Sequence, residues 1–445
     1  MNNTFEKLNF LNRRKKIGTL CCAPFTSMYF GHKGIVSVCC SNRTTIMGIY
    51  PEKTLKEIWE GEVYATMRKE HEDFKFSRGC EQCKRLLSSG NFKSLKIPQH
   101  DIPGNDYKSL KYPYKLNFEL DNKCNLMCIM CHGKFSSKIL KYREKKPEYI
   151  SPYLTDRFFD ELKPFLDNAG LLEFYGGEPF LIDIYIKILD YVIIHNPNVR
   201  VYIQSNGTVI SKKILSYFDK LNINLSLSID SVNKEVYDKV RVGADFNQVE
   251  KNVSIFSELL KKCGGEFYIS PVLFKLNYLE LINFYNFSNK YNMKMYFHDL
   301  TTPRELSVYS LDYSTLKTGI DNLNYKLNKI IPLTEIEKYN YNVVIDQIKH
   351  LSFILNNVLT VRKDTSFSLA KFLKVNYPDL HKHYMDKIQK EQIDDRVLSN
   401  SIAYSSMNEP PESFLFKKIE NHKNKDIEKI LHEFIEKEKF ILSRM

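Results

Sequence analysis

KLNFELDNKCNLMCIMC, residues 115–131, decides the reading of this chain. Its first part alternates: Leu116, Phe118 and Leu120 share one side of an extended segment at period two, the pattern of a strand with one buried face. Its second part places Cys124, Cys128 and Cys131 at C-x3-C-x2-C spacing. A tetrahedral zinc site takes four ligands, usually as two C-x2-C pairs or as cysteine with histidine. A disulfide framework takes an even number of thiols. Three thiols on one loop directly after a strand fit neither.

Further β-rich runs follow at LLEFYGG (171–177), VRVYIQSNG (199–207), INLSLSID (223–230), EFYISPVLF (266–274) and KMYFHDL (294–300). Between them lie helical patterns: TDRFFDELKPFL, IDIYIKILDYVII, SKKILSYFDKL, FNQVEKNVSIFSELLKK and LELINFYNFSNKY. Such a series implies an α/β fold, a parallel sheet with right-handed crossovers. A partial, open (β/α)6 relative of the TIM-like (β/α)8 barrel fits better than a flat dinucleotide sheet, because no G-x-G-x-x-G follows the first strand. Chemistry in such barrels sits at the C-terminal ends of the strands, and the three cysteines fall at that end of the first one. Residues 111–300 are expected to form this core. Residues 1–110, with six cysteines, are expected to form a separate module, closed by the polar stretch SSGNFKSLKIPQHDIPGNDYKSL, which reads as a linker. Residues 301–445 turn helical and lysine-rich, from STLKTGIDNLNYKLNKII to DIEKILHEFIEKEKFIL. They are expected to form a helical extension without a catalytic cluster.

The 445 residues, 43% hydrophobic and 27% charged, suit a soluble globular protein of two or three domains. No apolar run approaches the ~20 residues of a membrane helix. The basic N-terminus lacks an apolar h-region after it, which argues against export and for a cytoplasmic location. Thiols stay reduced there, so ten cysteines point to metal rather than to disulfides. The formal net charge of +12 comes from lysines scattered along the chain. That distribution argues against a dedicated nucleic-acid surface and leaves an acidic partner protein or an anionic small molecule.

Three thiolates on one loop hold three corners of a four-iron cubane and leave the fourth iron open to an external ligand. Cys124, Cys128 and Cys131 resemble the C-x3-C-x2-C signature of radical S-adenosylmethionine enzymes, and so does their place after the first strand. Met130 stands where that family often has an aromatic residue. The resemblance implies a [4Fe–4S] cluster whose open iron binds S-adenosylmethionine, with reductive cleavage to a 5′-deoxyadenosyl radical that abstracts hydrogen from a substrate. Gly176, Gly177 and Glu178, with Pro179, resemble the family's GGEP turn, whose backbone meets the cofactor's amino group. Ser205 and Asn206, in SNGT, resemble its segment beside the cofactor. Ser228 and Arg241 match positions that contact the cofactor's ribose and carboxylate, and Asp230 lies beside them. From the residues alone, Arg241 also reads as a solvated charge flanking a helix, and Asp230 as a cap for the next helix.

The N-terminal cysteines lie in CCAPFTSMYFGHKGIVSVCC (21–40) and GCEQC (79–83), with TLKEIWEGEVYATMR between them. These segments resemble the auxiliary-cluster module called SPASM or, in its single-cluster form, twitch. That module usually follows the barrel; here it precedes it, an order known for some twitch-type relatives. The resemblance implies an auxiliary [4Fe–4S] cluster. Cys80 and Cys83 form the only C-x2-C pair of the region. Adjacent cysteines in an extended segment point to opposite sides, so each doublet is expected to give one ligand. The Cys-x-x-Pro and G-x-V-x-x-C spacings of the module select Cys21 and Cys39, leaving Cys22 and Cys40 as packed small residues. A four-cysteine zinc site from the same residues, or a disulfide-stapled domain, are the alternatives. Cys263 reads as a structural residue at a helix end.

The expected function is that of a radical enzyme with two clusters, the auxiliary one relaying an electron. Its substrate is expected to be a peptide, a protein or a small metabolite. A flavodoxin or ferredoxin is the expected electron donor. With the first cysteine already at Cys21, no leader-peptide reader is expected ahead of the module, which weakens a peptide-maturase reading without excluding it. Tyr175, Gln204 and His298, at strand ends, are candidates to line the substrate pocket. The alternative is a catalytically silent iron–sulfur or zinc scaffold that binds nucleic acid or a protein partner.

Overall fold

The computed structural model describes residues 2–89, 92, 95–356, 369–376 and a few positions between 381 and 389. Helix α1 (Asn2–Ile17) opens the chain, followed by the short α2 (Ala23–Thr26) and three strands: β1 (Ser27–Phe30), β2 (Ile35–Ser37) and β3 (Gly48–Ile49). Helices α3 (Leu55–Trp59), α4 (Glu62–Glu72) and α5 (Glu81–Ser89) complete the cysteine-rich part. Helix α3 begins with a reciprocal cap: Thr54 accepts from the Glu57 N–H while Glu57 accepts from the Thr54 N–H. The Trp59 indole N–H donates to the Lys111 carbonyl at 3.0 Å, and the Arg68 guanidinium lies over its ring at 4.5 Å.

The polar stretch after α5 is more than a linker. Residues 90, 91, 93 and 94 lie outside the described set, but Leu95, Ile97, His100 and Tyr107 are buried. Asp101 accepts two bonds from the buried Arg14, at 2.7 and 2.8 Å. Its few apolar residues, diluted by polar ones, are spent on packing against α1 and α2.

The barrel strands are β4 (Lys115–Phe118), β5 (Leu171–Phe174), β6 (Arg200–Ser205), β7 (Asn222–Leu227) and β8 (Phe267–Ile269), then β10 (Lys294–Met295) after the short β9 (Val272–Leu273). All six pair in parallel, in the order β4-β5-β6-β7-β8-β10. Helices α6 (Asp156–Asn168), α7 (Asp183–His195), α8 (Lys212–Phe218), α9 (Lys234–Val240), α10 (Phe246–Cys263) and α11 (Leu281–Lys290) supply the crossovers. The sheet does not stop at β4. Strand β1 pairs with it in parallel, Tyr29 opposite Asn117, and β2 and β3 follow antiparallel. The cysteine-rich part thus adds three strands to the barrel's first edge and covers an otherwise open ladder.

One face of the sheet is apolar: Leu116, Phe118, Leu172, Phe174, Val201, Ile203, Ile223, Leu225 and Leu227 are all buried. Phe30, Phe118 and Phe174 run across it with ring centroids 5.3 Å apart at each step. The other face is polar. Glu173 gathers the Lys115 ammonium at 2.7 Å, the Asn117 amide and the Tyr175 hydroxyl at 2.9 Å. On the same face Ser226 meets the Tyr296 hydroxyl at 2.9 Å, and Tyr296 also bonds Tyr202.

The last two β-rich runs are each broken. EFYISPVLF gives β8 in the main sheet and β9 in another, where β9 pairs with β11 (His298–Asp299). Pro271 falls at the first break, and without an N–H it cannot continue a ladder. The chain forms two compact units, Met1–Pro271 with Phe287–Tyr296, and Val272–Asn286 with residues from Phe297 onward. In the second, α12 (Tyr313–Leu327) and α13 (Glu335–Ile354) are amphipathic helices, α13 opening with a Thr334–Glu337 capping box. His298 lies in this second unit. DIEKILHEFIEKEKFIL lies outside the described residues. Among the described residues no helix is long and apolar enough to cross a membrane.

Candidate functional site

The loop after β4 is held by its backbone. The Met127 N–H donates to the Val242 carbonyl at 2.8 Å, and the Ile129 N–H to that of Val240 at 3.0 Å. The Cys124 N–H donates to the Ser137 hydroxyl at 3.2 Å, and the Asn122 amide to the Gly133 carbonyl at 2.8 Å. Arg143 closes a π-helical turn (Ile139–Arg143) and donates to the carbonyls of Cys128 at 3.0 Å, Cys131 at 3.4 Å and Met127. None of these bonds uses a cysteine thiol. Burial pushes the Cys124 thiol up to about 11 and that of Cys131 up to about 12. Metal loading there must displace protons.

Gly176 and Gly177 adopt φ of +76° and +48°, left-handed values that favour glycine. A Cβ on Gly177 would stand 2.3 Å from the Lys123 carbonyl oxygen. The turn therefore touches the cysteine loop, one residue before Cys124. Gly177→Ala should push that loop away and cost about 1–3 kcal/mol of stability. Thermal unfolding and iron counting would show a lower midpoint and about four irons lost; a protein that keeps both contradicts the contact.

The fully buried Glu178 ties strand ends together. Its Oε1 accepts from the Ser205 hydroxyl at 2.8 Å and its Oε2 from the Asn206 N–H at 2.7 Å. Burial raises this carboxyl to about 7. Asn206 also donates through its amide to Asn125 Oδ1 at 2.9 Å, and Asn125 donates to Thr208 Oγ1 at 2.8 Å. The C-terminal ends of β4, β5 and β6 are thus cross-braced. Ser228 accepts from the Gln204 amide at 3.2 Å. Arg241 is buried and donates through Nε to the buried Asp230 at 2.6 Å, so it is no solvated surface charge. The helix cap that Asp230 might have supplied comes from Asn233, which accepts from the Val236 N–H.

Cys21, Cys39, Cys80 and Cys83 line one cavity, with Pro24, Val38, Met67 and Ile97 as apolar walls. The Asn42 amide lies 3.4 Å from the Cys80 sulfur, and the Ala23 N–H 3.5 Å from that of Cys21. Cys22 turns away to pack with Phe25 and Tyr107, and receives the Arg14 guanidinium at 3.4 Å. Cys40 also turns away but is exposed, not packed, because the chain reverses there through a bridge between Cys39 and Asn42. Cys263 is exposed at the end of α10, its sulfur 3.8 Å from Asp219. Among the described residues no three His, Cys, Asp or Glu gather around a point fit for one metal ion. The four thiols share their cavity with the buried His71 and His100.

The model of the radical SAM superfamily matches residues 119–287, and that of the SPASM iron–sulfur cluster-binding domain matches residues 21–84. The chain thus carries a radical SAM domain with a SPASM domain ahead of it. It is similar to the antilisterial bacteriocin subtilosin biosynthesis protein AlbA of Bacillus subtilis, 29% identical over 46% of this chain and 44% of that one. It is equally similar, at 29% over 46% of this chain and 58% of the other, to a cysteine-type anaerobic sulfatase-maturating enzyme of Clostridium novyi. Among solved structures, native anSMEcpe with bound AdoMet aligns at 22% identity over 48% of this chain and 60% of that chain, with a TM-score of 0.38. The chain spans about half the length of these curated relatives.

In this radical SAM domain, sequence motifs missed some of the residues that hold the site in place. Arg143 and Asn125 carry no motif; their partners are backbone and amide groups that only the folded loop assembles. A second omission is the cluster Tyr29, Glu119 and Arg43. Tyr29 comes from the SPASM strand β1, and its hydroxyl donates to the Glu119 carboxylate at the end of β4. Arg43 lies 3.1 Å from that carboxylate and 4.7 Å above the Tyr29 ring. Period-two alternation in SMYF and NFEL would have put Tyr29 and Glu119 on polar faces, but not on the same one.

Proposed function

We propose that the chain binds S-adenosylmethionine beside Cys124, Cys128 and Cys131 and uses it to take a hydrogen atom from a peptide substrate. The observation behind this reading is the meeting of the three-thiol loop, the Gly176–Gly177 turn and the buried Arg241 at the C-terminal strand ends. When bound, a [4Fe–4S] cluster with one open iron supplies the electron that splits S-adenosylmethionine into methionine and a 5′-deoxyadenosyl radical. Gly176 and Gly177 let the backbone approach the cofactor's amino group. Glu178, through Ser205 and Asn206, keeps that turn in register with the next strand. Ser228 is assigned the ribose. Arg241, oriented through Nε by Asp230, is assigned the carboxylate, which its fork suits. The peptide class rests on the two relatives, whose names speak of bacteriocin biosynthesis and sulfatase maturation.

Cys21, Cys39, Cys80 and Cys83 are assigned as the four ligands of an auxiliary [4Fe–4S] cluster. Full ligation leaves no open iron, which suits electron relay better than substrate binding. The net charge of +12 favours an acidic flavodoxin or ferredoxin as donor. Anaerobic reconstitution should give about eight irons per chain. Cys39→Ala or Cys80→Ala should lower this to about four, whereas Cys40→Ala and Cys22→Ala should keep about eight. About four irons with one zinc in the unaltered protein would overturn the auxiliary cluster.

A further inference from the structure

A cavity of about 340 Å³ lies where the β1–β2 hairpin of the SPASM domain faces the loop that follows Cys131. Gly176, Gly177, Ser228 and Arg241, assigned to S-adenosylmethionine above, do not line it, nor do Glu178, Ser205, Asn206 and Asp230. Its volume falls in the range of small-ligand pockets, about 300–1,000 Å³. Its walls carry Lys33, Arg43 and Lys134, with the single carboxylate of Glu119. Glu119 already holds the Tyr29 hydroxyl and Arg43. Lys33 and Lys134 make no ion pair among the described residues, so the cavity keeps an excess of positive charge.

His32 stands at the wall of the same cavity and is 91% buried, with its Nε2 lacking any hydrogen-bond partner. An unpartnered polar atom buried at this depth costs free energy unless a ligand satisfies it. Burial, with Lys134, His132, Arg43 and Lys33 around it, lowers His32 to about 4, so the ring is neutral near pH 7 and offers one N–H. The turn that presents it is fixed. Gly34 has φ of +77°, and a Cβ there would stand 1.9 Å from the Tyr50 carbonyl oxygen. The Lys33 N–H donates to the Tyr149 hydroxyl at 2.8 Å.

We infer that this cavity is an anion subsite that takes a carboxylate of the peptide substrate. The inference rests on the peptide reading above. Lys33 and Lys134 neutralise the carboxylate, and His32 Nε2 donates to one of its oxygens. Ile35 and Leu140 give the cavity apolar walls for the methylenes that carry such a group in a peptide, which a free inorganic anion has no use for. The SPASM domain would then help select substrate as well as hold iron.

The test uses the full, anaerobically reconstituted chain and an acetylated hexaglutamate peptide, read by calorimetric titration at low salt. The expected result is saturable binding that acetylated hexalysine does not show. Lys33→Gln with Lys134→Gln should weaken it about ten-fold or more. Lys213→Gln with Lys262→Gln, the same loss of charge on α8 and α10, should leave it unchanged. No binding of hexaglutamate, or equal weakening in both double variants, overturns the subsite. Inorganic phosphate that displaces the peptide at matched concentration assigns the cavity to a small free anion and overturns the peptide carboxylate. The readout needs no turnover. An absence of S-adenosylmethionine cleavage would therefore strike the proposed reaction and leave this result standing, and the reverse holds equally.

Discussion

Alanine at Cys124, Cys128 or Cys131 should abolish reductive cleavage of S-adenosylmethionine and remove about four of about eight irons. In the proposed site each thiolate would hold one corner of a cubane, so its loss would leave two protein ligands on the loop. The fold should survive the change. The loop is pinned through its backbone by Val240, Val242 and Arg143, none of which needs a thiol. The expected picture is a folded protein with the auxiliary cluster's EPR signal and no 5′-deoxyadenosine. Wild-type product formation by any of the three variants would remove that cysteine from the ligand set.

Arg241→Ala should cost about 3–5 kcal/mol of stability, because the buried Asp230 carboxylate would lose its guanidinium partner. Both partners lie in the interior, and the bond between them is 2.6 Å. Replacing the pair together, Asp230→Leu with Arg241→Met, should recover most of that loss, since apolar substitutes of similar volume often match a buried ion pair. Affinity for S-adenosylmethionine should stay low in both variants if the guanidinium takes the cofactor's carboxylate. Denaturant titration and equilibrium binding separate the two roles. Wild-type affinity in the stable double variant would leave Arg241 a structural partner of Asp230 alone.

Local patterns made the barrel legible. KLNFEL, LLEF and VRVYIQS alternate because one sheet face is apolar and the other polar, and that information sits within each run. The three-cysteine spacing and the Gly-Gly turn were equally local. What the sequence did not disclose depends on partners far along the chain. Strand β1 joins β4 across 88 residues, Ser27 opposite Lys115, and no short pattern marks such a parallel pairing. The same join unites Tyr29 with Glu119. Pro271 did mark a break in EFYISPVLF, yet the run's hydrophobicity concealed it. The polar composition of residues 88–110 suggested a linker, because the few residues that pack are outnumbered by those that face water. The opposite orientation of neighbouring side chains separated Cys39 from Cys40, but whether Cys40 met solvent or packing depended on the reversal that follows it.

The central claim is most directly tested with unaltered protein, reconstituted under anaerobic conditions, reduced, and given S-adenosylmethionine without substrate. Mass spectrometry of the products should show slow formation of 5′-deoxyadenosine, with methionine in equal amount. Protein loaded with iron at both sites and binding S-adenosylmethionine, yet forming neither product under reduction, would contradict the account and leave a catalytically silent iron–sulfur scaffold.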